Sequence, residues 1–297
     1  MNRRDFLHAA GLTALALSGA GAADKPKRRV LMFTRSETYE HAVVQRKDGK
    51  PALAERTATE LAGKHDIEVV CEKDGRVFLS KEFPKFDGFL FETQGNLSNE
   101  KSKDGAPPVP PEGKKALLEA VAAGKGFVGC HCASDTWHSE GYPDKRWENQ
   151  PEDKRDPYIR MLGGEFSKHG RQQKAWMRVA DPDFPGLKGV KDFEKNEEWY
   201  SLRNFAPDIH VILVQDTSGM KDFDYERPNY PATWARMHKK GRVFYTSMGH
   251  RDDVWESEIF QNLLVGGLLW SLGDGNPDLK ANLDKAAPKA SELPMKK

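Results

Sequence analysis

Apolar runs without regular polar alternation constrain the fold of this chain more than any other feature of its sequence. Such runs in the first half are RRVLMF, IEVVCEKD, FDGFLF and GKGFVGC. Stretches with apolar residues at helical spacing separate them, at 51–65 and 111–126. Strands that lack polar alternation are buried on both faces, which is typical of a parallel sheet covered by helices. The sequence therefore predicts a doubly wound α/β fold.

The second half of the chain has a less regular pattern. Segments 172–181 and 210–216 have the apolar content of strands, and 230–250 is typical of a hairpin. The amphipathic segment 256–272 predicts a buried helix that closes the domain. Neither a repeat nor a linker interrupts this order.

Three segments are expected along the chain. Residues 1–22 contain Arg3 and Arg4, an apolar Ala/Leu run and a small-residue cleavage site after Ala22, a pattern typical of a twin-arginine export signal. Residues 28–273 are predicted to form one domain. The Lys-, Pro- and Ala-rich segment 274–297 predicts a flexible C-terminal tail. We therefore expect a mature protein in the periplasm.

Charge and cysteine content exclude several classes of function. The chain has 46 Lys and Arg against 45 Asp and Glu, so there is no basic excess that would indicate nucleic-acid binding. Three cysteines are too few for a disulfide scaffold or a zinc module built on CxxC pairs. No stretch after the signal reaches the length of a membrane span. A G-x-G-x-x-G loop after the first strand is also missing, so the chain is not expected to carry out NAD-dependent oxidation itself.

Reactive side chains follow several of the predicted strands. His41 comes after the first strand, Gln94 after the third, His131 and Asp135 after the fourth, and His250 after the last. Ligands of open α/β sheets bind in the crevice outside these strand ends. The sequence therefore predicts a polar ligand site at this edge of the sheet.

Several motifs together resemble one known family, the ThuA-like (trehalose utilisation) domain. They are RVLMFTRSETYEH, FETQGNLS, GFVGCHCASDTWH, YIRMLGGEFSKHG, NEEWYSL, PATWARMHKKGRVFYTSMGH and FQNLLVGGLLW. The resemblance covers roughly residues 28–272. It implies a class I glutamine amidotransferase-like fold, that is, a flavodoxin-like three-layer sandwich with a mostly parallel sheet. It also implies a role in the utilisation of trehalose or other disaccharides and glycosides, 3-keto sugars included.

The amidotransferase comparison bears on the segment GCHCA at 129–133. In those enzymes a nucleophilic Cys occupies a sharp turn between a strand and a helix, in a G-x-C-x-G pattern. Here His131 stands at the nucleophile position, and Cys130 and Cys132 flank it. The flanking cysteines are expected to be small buried hydrophobic residues. His250 corresponds to the His of the amidotransferase His-x-Glu pair, so a site is expected but glutaminase activity is not.

The residue types indicate three sets of candidate roles. The proposed catalytic residues are His131, His250 and Asp135. The proposed substrate-binding residues are His41, Gln94, Glu197, Glu198 and Tyr200. The candidate metal ligands are His131, His169 and His250. Asp135 and Asp252 are expected to orient imidazoles, and His138 and His238 are expected on the surface.

These residues leave more than one function open. The first is a lyase, isomerase or hydrolase of keto-glycosides, with or without a divalent metal such as zinc. A partner sugar dehydrogenase would supply the oxidised sugar. The alternatives are a non-catalytic carbohydrate-binding or accessory protein, and a metal-dependent hydrolase of another substrate.

The export signal makes the first testable prediction. Replacing Arg3→Lys together with Arg4→Lys should leave uncleaved precursor in the cytoplasm, because the twin-arginine translocase reads the arginine pair. Cell fractionation followed by immunoblotting measures the distribution. Export of the double variant at the wild-type level would contradict the assignment.

Overall fold

The computed structural model describes residues 27–275 and 279–295. The predicted export signal and its cleavage site lie outside these residues. The strands are β1 (Arg28–Phe33), β2 (Ile67–Glu72), β3 (Gly88–Phe91), β4 (Gly126–Cys130), β5 (Glu165–His169), β6 (Gln173–Val179), β7 (Phe193–Glu197), β8 (Tyr200–Arg203), β9 (His210–Asp216), β10 (Tyr230–His238) and β11 (Gly241–Thr246). The α-helices are α1 (Leu53–Gly63), α2 (Pro111–Ala122), α3 (Pro157–Leu162), α4 (Asp252–Trp255), α5 (Glu258–Ser271) and α6 (Leu283–Ala286).

One mixed sheet forms the centre of the molecule, and its order is β2-β1-β3-β4-β11-β10-β9-β6-β7 within the described residues. The first five strands in this order pair in parallel. The other four continue the sheet through antiparallel pairs. The predicted α/β fold with a mostly parallel sheet is confirmed, and the parallel half brings the ends of β1, β3, β4 and β11 to one edge.

Helices cover both faces of this sheet, which produces three layers. Neighbouring residues of each strand belong to different cores: Leu31 and Phe33 pack on one face, and Val30 and Met32 on the other. Apolar residues of α2 line the first core, and those of α1 and α5 line the second. Burial on both faces explains why the central strands are continuously apolar in sequence.

Local signals define where the helices begin and end. Glu55 reaches back to accept a hydrogen bond from the backbone N–H of Ala52 at the start of α1, at 2.9 Å. Asp156 caps α3 by accepting from the backbone N–H of Tyr158, and Pro157 occupies the first helical position. Gly163 ends α3 with φ of 88°, a left-handed conformation that favours glycine. None of the helices in the described ranges has the length and apolar content needed to cross a membrane.

Three strands were not predicted from the sequence. The sequence pattern predicts no strand around His169, but Glu165–His169 forms β5. The pattern predicts no strand around Glu197 and Glu198 either. This segment joins β7 of the large sheet to β8, which pairs with β5 in a separate two-stranded sheet. These strands are short and carry charged residues, so tertiary pairing outweighs their weak intrinsic strand preference.

The predicted flexible tail also needs correction for residues 279–295. Ala287 and Ala290 are buried, and Arg227 donates to the carbonyl of Ala290 at 2.6 Å. Asn282 exchanges two hydrogen bonds with the backbone of Val211. The hydrophilic composition predicted a loose segment. Two buried alanines and a few hydrogen bonds to the backbone are nevertheless enough to attach it to the domain.

A buried charge network attaches the small β5–β8 sheet to the loop after β4. The His138 ring lies between two carboxylates, with Nε2 2.6 Å from Asp135 Oδ1 and Nδ1 3.1 Å from Glu165 Oε1. Arg203 donates to Glu165 Oε1 from the other side at 3.1 Å. The prediction that His138 is a surface residue is wrong, because its side chain is only 14% exposed. The two carboxylates, the guanidinium and the imidazolium balance in charge.

This network shifts two pKa values in opposite directions. Burial alone would raise the pKa of Glu165, but the hydrogen bond from His138 and the charge of Arg203 outweigh it and lower the pKa to about 2. Burial alone would lower the pKa of His138, but its hydrogen bonds to Asp135 and Glu165 raise that pKa above 6.5. Both charged forms are therefore favoured by the fold.

Glu165→Gln tests this network through the pH dependence of stability. The folded pKa of Glu165 is below the ordinary 4.5, so its stabilising contribution is present above that pH and is lost as pH falls towards 2. We expect the variant to be less stable than wild type by about 3 kcal/mol at neutral pH. Urea titrations between neutral and acid pH measure the difference, which should shrink as the wild-type carboxylate becomes protonated.

A control variant for this experiment is Glu140→Gln, which removes a carboxylate that is exposed and paired with Lys154. Its effect on stability should be small at every pH. A stability difference between Glu165→Gln and wild type that stays constant through the acid range would show that the fold does not lower the pKa of Glu165.

Candidate active site

The loop after β4 is a sharp turn centred on His131. Its φ is +38°, in the left-handed region that a residue with a bulky side chain rarely adopts. The turn is held by Tyr245, whose hydroxyl donates to the His131 carbonyl at 2.8 Å. Gly249 packs against it, and a Cβ there would lie 3.4 Å from His131 Cβ and strain a φ of +133°. The turn that the amidotransferase comparison implied is therefore present, and it orients a buried imidazole.

Four side chains from distant parts of the chain converge beside this turn. His41, His131, Glu198 and His250 each offer a ligand atom, and these atoms all lie within 4.8 Å of one another. His41 follows β1, Glu198 lies between β7 and β8, and His250 follows β11. We call these four residues the histidine–glutamate cluster. His131 and His250, predicted to meet in one pocket, have ring centroids 5.3 Å apart.

Glu198 is the member that all three imidazoles face. Its Oε2 lies 3.1 Å from His250 Nδ1, 3.5 Å from His131 Nε2 and 3.8 Å from His41 Nε2. His131 Nε2 and His250 Nδ1 are buried and make no hydrogen bond with good geometry to any described residue. Buried polar nitrogen atoms normally have a partner. Their convergence on one carboxylate oxygen is what a bound cation requires.

The tautomer of His131 follows from its other ring nitrogen. Nδ1 lies 3.0 Å from the carbonyl oxygen of Ser247, which can only accept a hydrogen bond. Nδ1 therefore carries the proton, and the lone pair of Nε2 is directed into the cluster. A backbone carbonyl that fixes a histidine in this way is common around metal-binding imidazoles.

His250 is held differently. Its Nε2 lies 2.9 Å from the amide Nε2 of Gln172, and the amide oxygen of Gln172 accepts from Arg251. With the amide in this orientation the His250 proton is on Nδ1, facing Glu198. A cation bound at Nδ1 requires the loss of that proton from Nδ1 and a turn of the Gln172 amide, so that its oxygen accepts from Nε2.

Burial sets the protonation of the cluster. It lowers the pKa of His131 to about 4, with the neighbouring imidazoles opposing and Glu198 favouring the charged form. Burial also lowers the pKa of His41 below 6.5. Burial alone would raise the pKa of Glu198, but its contacts with His131, His250 and His41 lower it well below the usual range. Neutral imidazoles around a carboxylate are suitable ligands for a first-row divalent cation such as zinc.

Glu197 does not line the site as the sequence suggested. It is fully buried, and its Oε1 accepts from the backbone N–H groups of Gly249 and His250 at 2.9 and 2.5 Å. Burial raises its pKa to about 7, and the two N–H donors counter only part of that effect. Its role in the structure is to fix the loop that presents His250.

Asp135 also differs from its predicted role. It was expected to orient the His131 imidazole, but its carboxylate accepts from His138 and from the amide of Gln94, at 2.6 and 2.9 Å. Gln94 in turn accepts from the backbone N–H groups of Thr38 and Tyr39, which lead to His41. Asp135 and Gln94 thus position the His41 loop and line a cavity of about 680 Å³ beside it.

The remaining candidates lie at or near the cluster in different ways. Tyr200 is buried, with its ring centroid 4.0 Å from that of His131. His169 is outside the four-residue set but its Nδ1 lies 3.6 Å from Glu198 Oε1. Asp252 is exposed in the first turn of α4 and makes no hydrogen bond to His250. Of the predicted metal ligands, His131 and His250 are in the cluster. Its other two members, His41 and Glu198, were predicted to bind substrate, and no spacing in the sequence marks them as metal ligands.

Both cysteines beside His131 are buried, as expected. Burial raises the pKa of the Cys130 and Cys132 thiols well above the ordinary 9.0. The group that contacts the Cys132 thiol is a carboxyl and not a cation, because Cys132 Sγ lies 3.5 Å from Glu92 Oε1. Reactive thiols require the opposite environment.

Comparisons with known proteins agree with this fold. A putative ThuA-like protein from Bacteroides uniformis is 19% identical, with a TM-score of 0.60 over 88% of this chain and 99% of that chain. A putative ThuA-like protein from Parabacteroides merdae is 18% identical, with a TM-score of 0.52 over 83% of this chain and 90% of that chain. No curated protein matches the chain significantly. Residues 29–271 match the family described as ThuA, trehalose utilisation, and the chain therefore belongs to that family.

Proposed function

We propose that this protein is a metal-dependent enzyme of carbohydrate utilisation that works in the periplasm on a disaccharide or glycoside, 3-keto forms included. The observation that supports a metal is the convergence of three imidazoles and one carboxylate within 4.8 Å. Membership of a trehalose utilisation family supports a sugar as the substrate class.

The proposed ligands are His41, His131, His250 and Glu198. With neutral imidazoles the set has one negative charge, which favours a divalent cation over an anion. A bound cation of this kind supplies Lewis-acid polarisation of a carbonyl or hydroxyl oxygen. The ligand residues hold it, Ser247 and Glu197 keep His131 and His250 oriented, and the half-exposed His169 faces the side from which a substrate can approach.

A keto group on the sugar ring fits this arrangement. Oxidation beside a carbon of the ring acidifies its C–H bond, so elimination or isomerisation can proceed without the pair of carboxylates that ordinary glycosidases use. A separate sugar dehydrogenase would supply such a substrate. The reaction classes proposed are therefore lyase, isomerase or hydrolase, and cysteine-dependent glutamine hydrolysis is not among them.

Metal binding is tested with cobalt(II), whose visible absorption reports imidazole and carboxylate ligation. Wild-type protein should bind one cobalt ion per chain, because the four ligand atoms are already assembled. Glu198→Gln and His131→Ala should weaken binding by at least about tenfold, since each removes a direct ligand. Turnover of trehalose, other disaccharides and their 3-keto forms is then followed with and without metal.

Glu194→Gln is the matched control, because Glu194 lies on the same strand, β7, with its side chain 39% exposed in a surface ion pair. It should bind cobalt as wild type does. Failure of the wild-type chain to bind cobalt or zinc would refute the metal site. Turnover that is unchanged after removal of bound metal would instead support a metal-free acid–base mechanism, and binding of a sugar without turnover a non-catalytic protein.

A thiol mechanism is tested separately. Cys130→Ala with Cys132→Ala should cost about 1 kcal/mol of stability each through lost packing, because both side chains are small and buried. Turnover of the sugar identified in the screen should not change, because neither thiol ionises near neutral pH. Iodoacetamide labelling and thermal unfolding measure reactivity and stability. Loss of turnover on modification of one of these cysteines would restore a nucleophilic thiol.

A further inference from the structure

A large cavity adjoins the exposed side of the histidine–glutamate cluster. It has a volume of about 960 Å³, and its lining includes Trp147, Phe223, Arg146, Lys168 and His169. His169 connects the two features, because its side chain is 43% exposed while Nδ1 lies 3.6 Å from Glu198 Oε1. His41 and His131 are almost fully buried. A ligand that reaches the cluster through His169 therefore occupies this cavity.

Two aromatic rings form one wall of the cavity. Trp147 and Phe223 meet edge to face, with ring centroids 5.2 Å apart and an interplanar angle of 83°. Both are half-buried. An edge-to-face contact holds the indole in one orientation. The Trp147 ring therefore offers an apolar face whose orientation Phe223 supports.

Hydrogen bonds connect the segment that carries Phe223 to Trp199, the residue after Glu198. Arg171 forms a forked ion pair with Asp222, next to Phe223. The Tyr225 hydroxyl accepts from the backbone N–H of Gly170 at 3.0 Å and donates to the carbonyl of Trp199 at 2.6 Å. Trp199 directly follows Glu198. The aromatic wall and the cluster are thus held at a fixed separation.

Polar groups complete the lining. Arg146 and Lys168 face the cavity, and neither belongs to an ion pair with any other residue in 27–275 or 279–295. Asp222 and Asp224, on either side of Phe223 in the chain, also line the cavity and supply carboxylate acceptors. The cavity thus combines two aromatic rings with several charged and hydrogen-bonding side chains. A pyranose ring has the matching surface, with C–H groups on its face and hydroxyls at its edge.

We infer that this cavity is the subsite for a sugar ring, which packs its C–H face on Trp147 and hydrogen-bonds its hydroxyls to Arg146 and Lys168, next to the cluster. The inference rests on the proposed function for the class of ligand. It adds the residues that determine specificity. Trp147 is a binding residue here and has no part in metal ligation.

The test measures binding of trehalose and of methyl α-glucopyranoside to the full mature chain by saturation-transfer NMR and tryptophan fluorescence. Trp147→Ala should raise the dissociation constant by at least about fivefold, the amount that an aromatic contact contributes. Trp147→Phe retains a ring and should fall between the alanine variant and wild type. Trp176→Ala is the control, because Trp176 is 42% exposed on β6 and outside the cavity.

Circular dichroism and thermal unfolding show whether each variant is folded, and the phenylalanine variant keeps the test valid if the alanine variant is not. Equal affinity of wild type, Trp147→Phe and Trp147→Ala would overturn the inference. Failure of both probes to bind wild type would also overturn it. Binding that depends on Trp147 in a chain that takes up no metal would support the subsite and contradict the proposed metal-dependent enzyme. Metal-dependent turnover with a KM that Trp147→Ala leaves unchanged would support the metal-dependent enzyme and contradict the subsite.

Discussion

The placement of the Glu198 carboxylate among three imidazoles is the interaction on which the rest of the site depends. A buried carboxylate is costly unless charged or polar groups compensate for the lost water. Here compensation comes from His41, His131 and His250, which reach Glu198 from three separate loops. The carboxylate remains charged while burial keeps His131 neutral at pH 7. The assembly therefore directs one carboxylate oxygen and three imidazole nitrogens at one point, and it can hold a cation once His250 loses its Nδ1 proton.

Neighbouring groups hold the turn at His131 and the loop at His250 in place before any cation binds. His131 is forced into a left-handed backbone conformation and held by Ser247 and Tyr245. His250 depends on Glu197, whose Oε1 accepts hydrogen bonds from two backbone N–H groups of the loop that carries His250. Strained residues persist only where the surroundings determine them strongly. The buried polar groups at the ends of β4 and β11 thus serve to orient the imidazoles of His131 and His250.

The sequence predicted the sheet, the turn at His131 and the meeting of His131 with His250, because strand ends in a parallel sheet converge at one edge whatever the details. It could not predict Glu198 as the common partner, since β7 and β8 are short, polar and in different sheets. Nor could it predict that Asp135 serves His138 and Gln94. Spacing of four residues suggested a shared helical face with His131, but the turn after β4 is a short 3-10 helix, in which residues four apart do not align. Side-chain contacts between distant segments of the chain produce no local sequence pattern from which they can be predicted.

The resemblance to amidotransferases implies a place for a thiol nucleophile at the turn of His131, but the charges around this turn disfavour one. A thiolate is stabilised by cationic neighbours. Around His131 the nearest ionised group is the carboxylate of Glu198, and burial lowers the pKa values of His131 and His41, which disfavours their positively charged forms. Cys130 and Cys132 experience the same environment, and their thiols stay protonated. A site of this sign disfavours an anionic nucleophile and favours a cation, which supports the proposed metal site over a thiol mechanism at this turn.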